Sequence, residues 1–203
     1  PVGRAEGTEH DGFGFGPDNL EVRPERRGDT GPALVIGRGG RAGSLGYSLG
    51  GRGGRGNRVV HPTFPRAESL AREFGPPVSA FAWEERHLAL DGAATLVNTT
   101  SQGMVGQPAL DLGLDKLPVS ALVCDIVYVP VNTPLLVAAR RRGNPTVDGL
   151  GMLLHQVRPA WNAWFGIDPE ITSGLRAHVE ATIPKAAEST SGAGSLNVNP
   201  RGS

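Results

Sequence analysis

Short apolar runs alternate with amphipathic stretches along this chain from Ala33 onward, and that alternation restricts its fold more than any single motif. The runs "ALVIG", "NRVVH", "VSAFAW" and "ATLVNTT" have strand length and end in turn or polar residues. "ALVCDIVYV" is apolar nearly throughout, as a strand covered on both faces should be. Between the runs, "FPRAESLAREFG" places Ala67, Leu70, Ala71 and Phe74 at helical spacing and stops at Gly75. "EERHLAL" reads as a short helix, and "TPLLVAARRRG" as a helix with Pro near its start and Gly after its end. "DGLGMLLHQVRPAWNAWFG" starts at an Asp cap and sets Leu150, Leu153 or Leu154, Val157, Trp161, and Trp164 or Phe165 on one side. Pro159 should bend or split it. "PEITSGLRAHVEATI" is the last helix. Alternating β and α elements predict an α/β fold: a Rossmann-like, doubly wound parallel sheet with helices on both faces. Ligands of such sheets bind at the carboxyl ends of the strands.

The bulk numbers set limits on partners. Twenty basic and twenty acidic residues cancel, so net charge gives no reason to expect nucleic acid or an anionic membrane as the main partner. The one cysteine, Cys124, lies inside an apolar run and reads as a small buried hydrophobe. One cysteine forms no disulfide within the chain, which suits a reducing compartment. No run reaches membrane-spanning length and no signal-peptide pattern opens the chain, so the cytoplasm is the expected site. No metal site is assigned. The segment 185–203 is small and polar and reads as a disordered tail. The dinucleotide-binding domain is expected over 31–184, with 1–30 as a linker entering it.

The stretch "ALVIGRGGRA" carries the first functional signal. Gly37, Gly39 and Ala42 fit G-x-G-x-x-[GA] directly after a strand. The first glycine permits the tight turn, the second lets the backbone approach a pyrophosphate, and the small third residue lets helix and strand pack. The following helix would offer its free N–H groups to the anion. Against this, Gly43, Gly46, Gly50 and Gly51 fall where that helix should run, each costing about 0.8–1 kcal/mol against Ala. That predicts a short or frayed helix. Three readings of 37–56 stay open: a dinucleotide phosphate loop, an Arg-Gly-rich RNA-binding segment, or a glycine-rich turn without ligand. An NAD site usually carries an acid about 20 residues after the first glycine. Here "NRVVHPTFPRAE" has none until Glu68, with Arg58 and Arg66 as the nearby charges, which leans toward the 2′-phosphate of NADP.

"VNTTSQGM", "DIVYVPVNTPLL" and "DGLGMLLHQ" occur in an order and spacing that resemble the shikimate dehydrogenase family. "GTEHDGFGF", "VIGRGGRA", "RAESLAREFG" and "WFGIDPE" fit the same order, from about Gly7 to Ile183. The resemblance implies reversible reduction of 3-dehydroshikimate to shikimate with NADPH, in aromatic amino-acid biosynthesis. It also implies partners: a small-molecule substrate and a second copy of the chain. The family has an N-terminal substrate domain and a C-terminal cofactor domain, and this chain looks like the second with its entering linker. By residue, Gly37, Gly39, Gly40 and Arg41 would form the phosphate loop. Thr63 and Arg66 match family positions around the adenosine 2′-phosphate, whereas His61 and Pro62 depart from its Asn-Arg pattern. Asn98, Thr99 and Thr100 match the strand end that passes the cofactor, and Gly149 and Met152 match positions beside the nicotinamide. Tyr128 and Gln156 match residues that reach the substrate. Asp11 matches the carboxylate of the family's catalytic Lys/Asp pair. Glu9 and His10 replace the family's Asn-Thr before it.

The family's catalytic Lys has no counterpart here, because neither Lys116 nor Lys185 stands in its motif. Turnover by this chain alone is therefore expected to be poor, since hydride transfer needs a proton donor or acceptor at the oxygen. His155 is expected to be packed or solvated rather than an acid/base. A binding module without catalysis is the rival reading.

Overall fold

The computed structural model describes residues 31–37, 56–76 and 78–183, with Phe74 by its main chain alone. Among the described residues, six strands form one parallel sheet: β1 (Ala33–Ile36), β2 (Arg58–His61), β3 (Ser79–Ala82), β4 (Thr95–Asn98), β5 (Leu122–Asp125) and β6 (Thr146–Val147). Their spatial order is β3-β2-β1-β4-β5-β6. The chain thus winds outward from β1 in one direction, returns, and winds outward from β4 in the other. The helices among the described residues are α1 (Phe64–Phe74), α2 (Pro134–Arg142), α3 (Gly149–Phe165) and α4 (Ser173–Thr182).

The central strands are buried at every position, and their side chains alternate between two cores. Leu34, Ile36, Leu96 and Val123 meet Leu135, Leu136 and Ala139 of α2 on one face. Val97, Leu122, Cys124 and Val147 meet Met152 of α3 in the other core. Helices therefore cover both faces, and the Rossmann-like doubly wound sheet is as expected. Helix ends follow their capping chemistry. Thr133 Oγ1 accepts from the Leu136 N–H at the start of α2, and Gly143 closes it in a left-handed turn (φ 89°). Asp148 accepts from the Leu150 and Gly151 N–H groups at the start of α3.

Several expectations need correction. "EERHLAL" is not a helix: a 3-10 turn covers Trp83–Glu85 and further turns follow. The Arg86 guanidinium there donates to the Trp83 carbonyl (2.8 Å) and pairs with Asp111 (2.6 Å), which ties this turn to the loop before β5. "ALVCDIVYV" is strand only to Asp125, whose carboxylate takes the Val127 N–H and ends the ladder. Pro159 does not split α3, which runs unbroken over 17 residues. The apolar side expected along α3 is buried only at its start. Leu150 and Met152 are packed, whereas Val157, Trp161, Trp164 and Phe165 are exposed. Arg58 lies at the opposite end of β2 from the glycine turn, where it donates to the Ala89 and Asp91 carbonyls. It is thus removed from the cofactor charges.

Candidate functional site

A cleft of about 650 Å³ opens at the carboxyl ends of the strands, where β1 and β4 lie side by side and the strand order reverses. Gly37 after β1 and Pro62 after β2 line one side. Thr99 to Gln102 and Met104, after β4, line the second, and Ile126 to Val129, after β5, the third. This is where an open α/β sheet leaves a crevice, because the connections on either side of the reversal diverge.

Gly37 is fixed by sterics rather than by propensity. Its φ is 140°, and a Cβ there would run into Thr99 Oγ1 and stand 2.8 Å from the Thr99 carbonyl carbon. The turn is locked from both sides: the Gly37 N–H donates to the Val60 carbonyl (3.1 Å), and the Thr99 N–H and Oγ1 donate to the Ile36 carbonyl (2.7 and 2.9 Å). The result is a bare backbone edge at the cleft, which a phosphate loop requires. Gly149 makes the second close approach, since a Cβ there would collide with the Ile126 carbonyl and stand 2.9 Å from the Val127 carbonyl carbon. The start of α3 is thereby pressed against the third wall.

The expected residues divide into groups. Gly37, Thr99 and Tyr128 line the cleft together, and Tyr128 is partly exposed to it. Thr63 and Arg66 are exposed at the start of α1, next to the cleft-lining Pro62. His61 is buried beneath them, and its Nδ1 accepts from the Thr63 N–H (2.7 Å). Asn98 is fully buried and does not line the cleft; its side chain holds the wall from beneath. Met152 packs into the core, and Gln156, half-buried on α3, is not among the lining residues. His155 is buried, as expected of a packed residue. Asp11, Gly39, Gly40 and Arg41 lie outside the described residues, as do most of 37–56, Lys185 and the tail. Lys116 is exposed in a turn before β5; the Leu114 and Leu117 carbonyls on either side of it accept from Arg142 at the end of α2, which sets it at the end of the sheet away from the cleft.

Sequence reasoning passed over Asp125. It is buried at the end of β5, with Oδ1 accepting from Asn98 Nδ2 (3.0 Å) and the Val127 N–H (3.1 Å). Oδ2 accepts from Thr133 Oγ1 (2.7 Å). Burial pushes its carboxyl up to about 6, against the pull of these hydrogen bonds. Asn98 Oδ1 in turn accepts from the Thr100 N–H and Oγ1 (3.0 and 2.7 Å). Gln102 and Met104 were also passed over as lining residues. The available signal was an acid closing an apolar strand, eight residues before the Thr of a Thr-Pro helix start. Gln102 Oε1 is buried without a hydrogen-bond partner, an acceptor the cleft leaves unsatisfied.

Comparison with known proteins agrees with this geometry. No protein-family model matches the chain. A curated relative, shikimate dehydrogenase (NADP+) of Rhodospirillum rubrum, is 50% identical over 181 residues, covering 87% of this chain and 64% of that protein. Quinate dehydrogenase from Corynebacterium glutamicum, solved in complex with NAD, superposes with a TM-score of 0.77 at 28% identity, over 86% of this chain and 63% of that one. Shikimate 5-dehydrogenase from Thermus thermophilus, solved with NADP(H) and shikimate, gives 0.72 at 31% identity, over 86% and 63%. The chain thus spans a little under two thirds of the length of the curated relative and of both solved structures. With half of the aligned residues identical to that relative and a fold that superposes on both solved structures, the chain belongs to the shikimate dehydrogenase family.

Proposed function

We propose that this chain is the dinucleotide-binding part of an NADP-dependent shikimate dehydrogenase, acting in the reversible reduction of 3-dehydroshikimate to shikimate. The observation that carries the reading is the cleft at the strand reversal, with a glycine edge that no side chain could share with Thr99. The domain is taken as 31–184, in the cytoplasm. NADP would supply the hydride acceptor, and NADPH the donor. The chain's own residues bind and orient. Gly37 would admit a phosphate to the backbone, with Gly39, Gly40 and Arg41 completing the loop. Thr63 and Arg66 would meet the adenosine 2′-phosphate. Thr99 would pass the cofactor along the second wall, with Asn98 acting from beneath. Gly149, and Met152 behind it, would set the start of α3 beside the nicotinamide. Tyr128 and Gln156 would reach the substrate, and Asp11 would join the proton transfer.

A second reading, binding without turnover, is favoured by one observation: Lys116 stands at the wrong end of the sheet for proton transfer at the cleft. The exposed face of Trp161, Trp164 and Phe165, with neighbouring Ile167, supports a homodimer, which sedimentation would test. Nucleic acid is not a proposed partner.

The test is a fluorescence titration of the purified chain with NADPH beside NADH, followed by shikimate-dependent reduction of NADP+. Saturable binding that prefers NADPH is expected. Arg66→Ala should weaken NADPH about tenfold and NADH little, because it removes a charge-assisted partner of the 2′-phosphate alone. Binding of neither nucleotide would overturn the reading. Binding without turnover would select the second one.

A further inference from the structure

We propose that Asp125 is a positioning residue of the cleft, holding the wall after β4 and the wall after β5 at the separation a single ligand needs to touch both. The inference rests on the dehydrogenase reading above.

The main chain already joins these two strands. Asn98 and Asp125 are partners in the parallel β4–β5 register, and the Ile126 N–H donates to the Asn98 carbonyl (3.1 Å). The carboxylate acts beyond the last pair, where main-chain pairing has stopped. One oxygen ties Asn98 Nδ2 to the Val127 N–H, so a single atom links the two walls. Through Asn98 Oδ1 the tie reaches the Thr100 N–H and hydroxyl, and Thr100 Oγ1 accepts from the Gln102 N–H (3.0 Å). The other oxygen takes the Thr133 hydroxyl, whose oxygen caps α2, so the far end of the third wall is fixed by the same group. Thr100, Gln102 and Val127 all line the cleft. The group beneath them is 2% exposed and none of its hydrogen-bond partners is charged.

Such a group is costly for the fold. Its carboxyl is pushed up to about 6, so at neutral pH it is held ionised in a site that disfavours the charge. An amide would fill the same space and avoid that cost. Its one oxygen could still accept from Asn98 and Val127, but it would turn an N–H toward Thr133 and reverse that bond. A residue kept only for stability should be replaceable by Asn at neutral pH or above. A residue kept for the placement of the walls should not.

The test is Asp125→Asn in the full chain at about pH 8, followed by thermal melting and by NADPH titration well below the melting point. Melting is expected to be unchanged or raised while NADPH affinity falls about tenfold. A purely structural role would move both in the same direction, so affinity lost in step with stability, or affinity unchanged, would overturn the proposal. If the unmodified chain shows no saturable NADPH binding, the dehydrogenase reading fails by itself. Hydrogen exchange then decides the positioning claim. Faster exchange in Asp125→Asn at the Thr100, Gln102 and Val127 amides, with β4 and β5 unchanged, would support it. Unchanged exchange at those three amides would overturn it.

Discussion

Between about pH 4 and about pH 6, folded Asp125 keeps a proton that an unfolded aspartate, at its ordinary 3.8, has already released. The folded state therefore binds more protons in this window, and the linkage relation makes stability fall as pH rises through it. Ionisation above the window costs roughly 3 kcal/mol relative to the protonated group. We expect urea midpoints of the native chain, relative to Asp125→Asn, to fall from about pH 4 to about pH 6 and then level off. A difference that stays flat would mean that burial does not dominate at this carboxyl. No local sequence pattern gives this behaviour. The acid lies in "ALVCDIVYV", where its apolar neighbours make it look like an interruption of a strand; the spacing to Thr133 is a weak signal, and only Asn98, across the sheet, shows what it holds. Gly37 is the opposite case. The glycine after "ALVI" marks a tight turn from sequence alone, and the contact with Thr99 supplies the reason that no other residue serves there.

Among the elements, α3 shows how far periodicity carries. Its start at an Asp cap was legible in "DGLG", because the capping rule is local. Its burial was not, because a stripe of apolar residues does not say where its neighbours end. Leu150 and Met152 reach the cores, while Trp161, Trp164 and Phe165 extend past the sheet. Pro159 was expected to bend or split the helix, and the helix continues through it in its partly exposed half without a split. The first turn matters more to function, since Gly149 presses on the wall that carries Tyr128. Asp148 sets that turn twice: it accepts from two helix N–H groups and pairs with Arg176 of α4 at 2.6 Å. Asp148→Ala should lower stability by about 1–2 kcal/mol through loss of the cap. Arg176→Ala should cost less, because the cap survives and the guanidinium is about one third exposed. Denaturant midpoints for the two variants check the order, and equal losses would move the weight from cap to ion pair.

At the scale of the whole molecule, the alternation of elements announced a parallel sheet, but not the order β3-β2-β1-β4-β5-β6. That order depends on the return from β3 to the far side of β1, a long-range pairing without a local signature. The strand ends "VIG", "VNTT" and "DIVY" could each be read as cleft candidates; that they share one cleft is a property of the order. The cleft takes one wall from the β1–β2 half of the sheet and two from the β4–β5 half. A nucleotide lying across it binds only when both halves are folded and joined, so its binding free energy becomes stability of the whole. At a concentration one hundred times its dissociation constant, NADPH should add about 2.7 kcal/mol. For a chain of this size each kcal/mol raises the melting midpoint by about 2–4 °C, which gives a rise of roughly 5–10 °C in a single transition. NADH at the same concentration should raise it less, for want of the 2′-phosphate. Gly37→Ala, whose Cβ would meet Thr99, should melt at a midpoint that NADPH does not move. Two separate transitions, with only one shifted by NADPH, would show instead that the halves fold apart and that the nucleotide reads one of them.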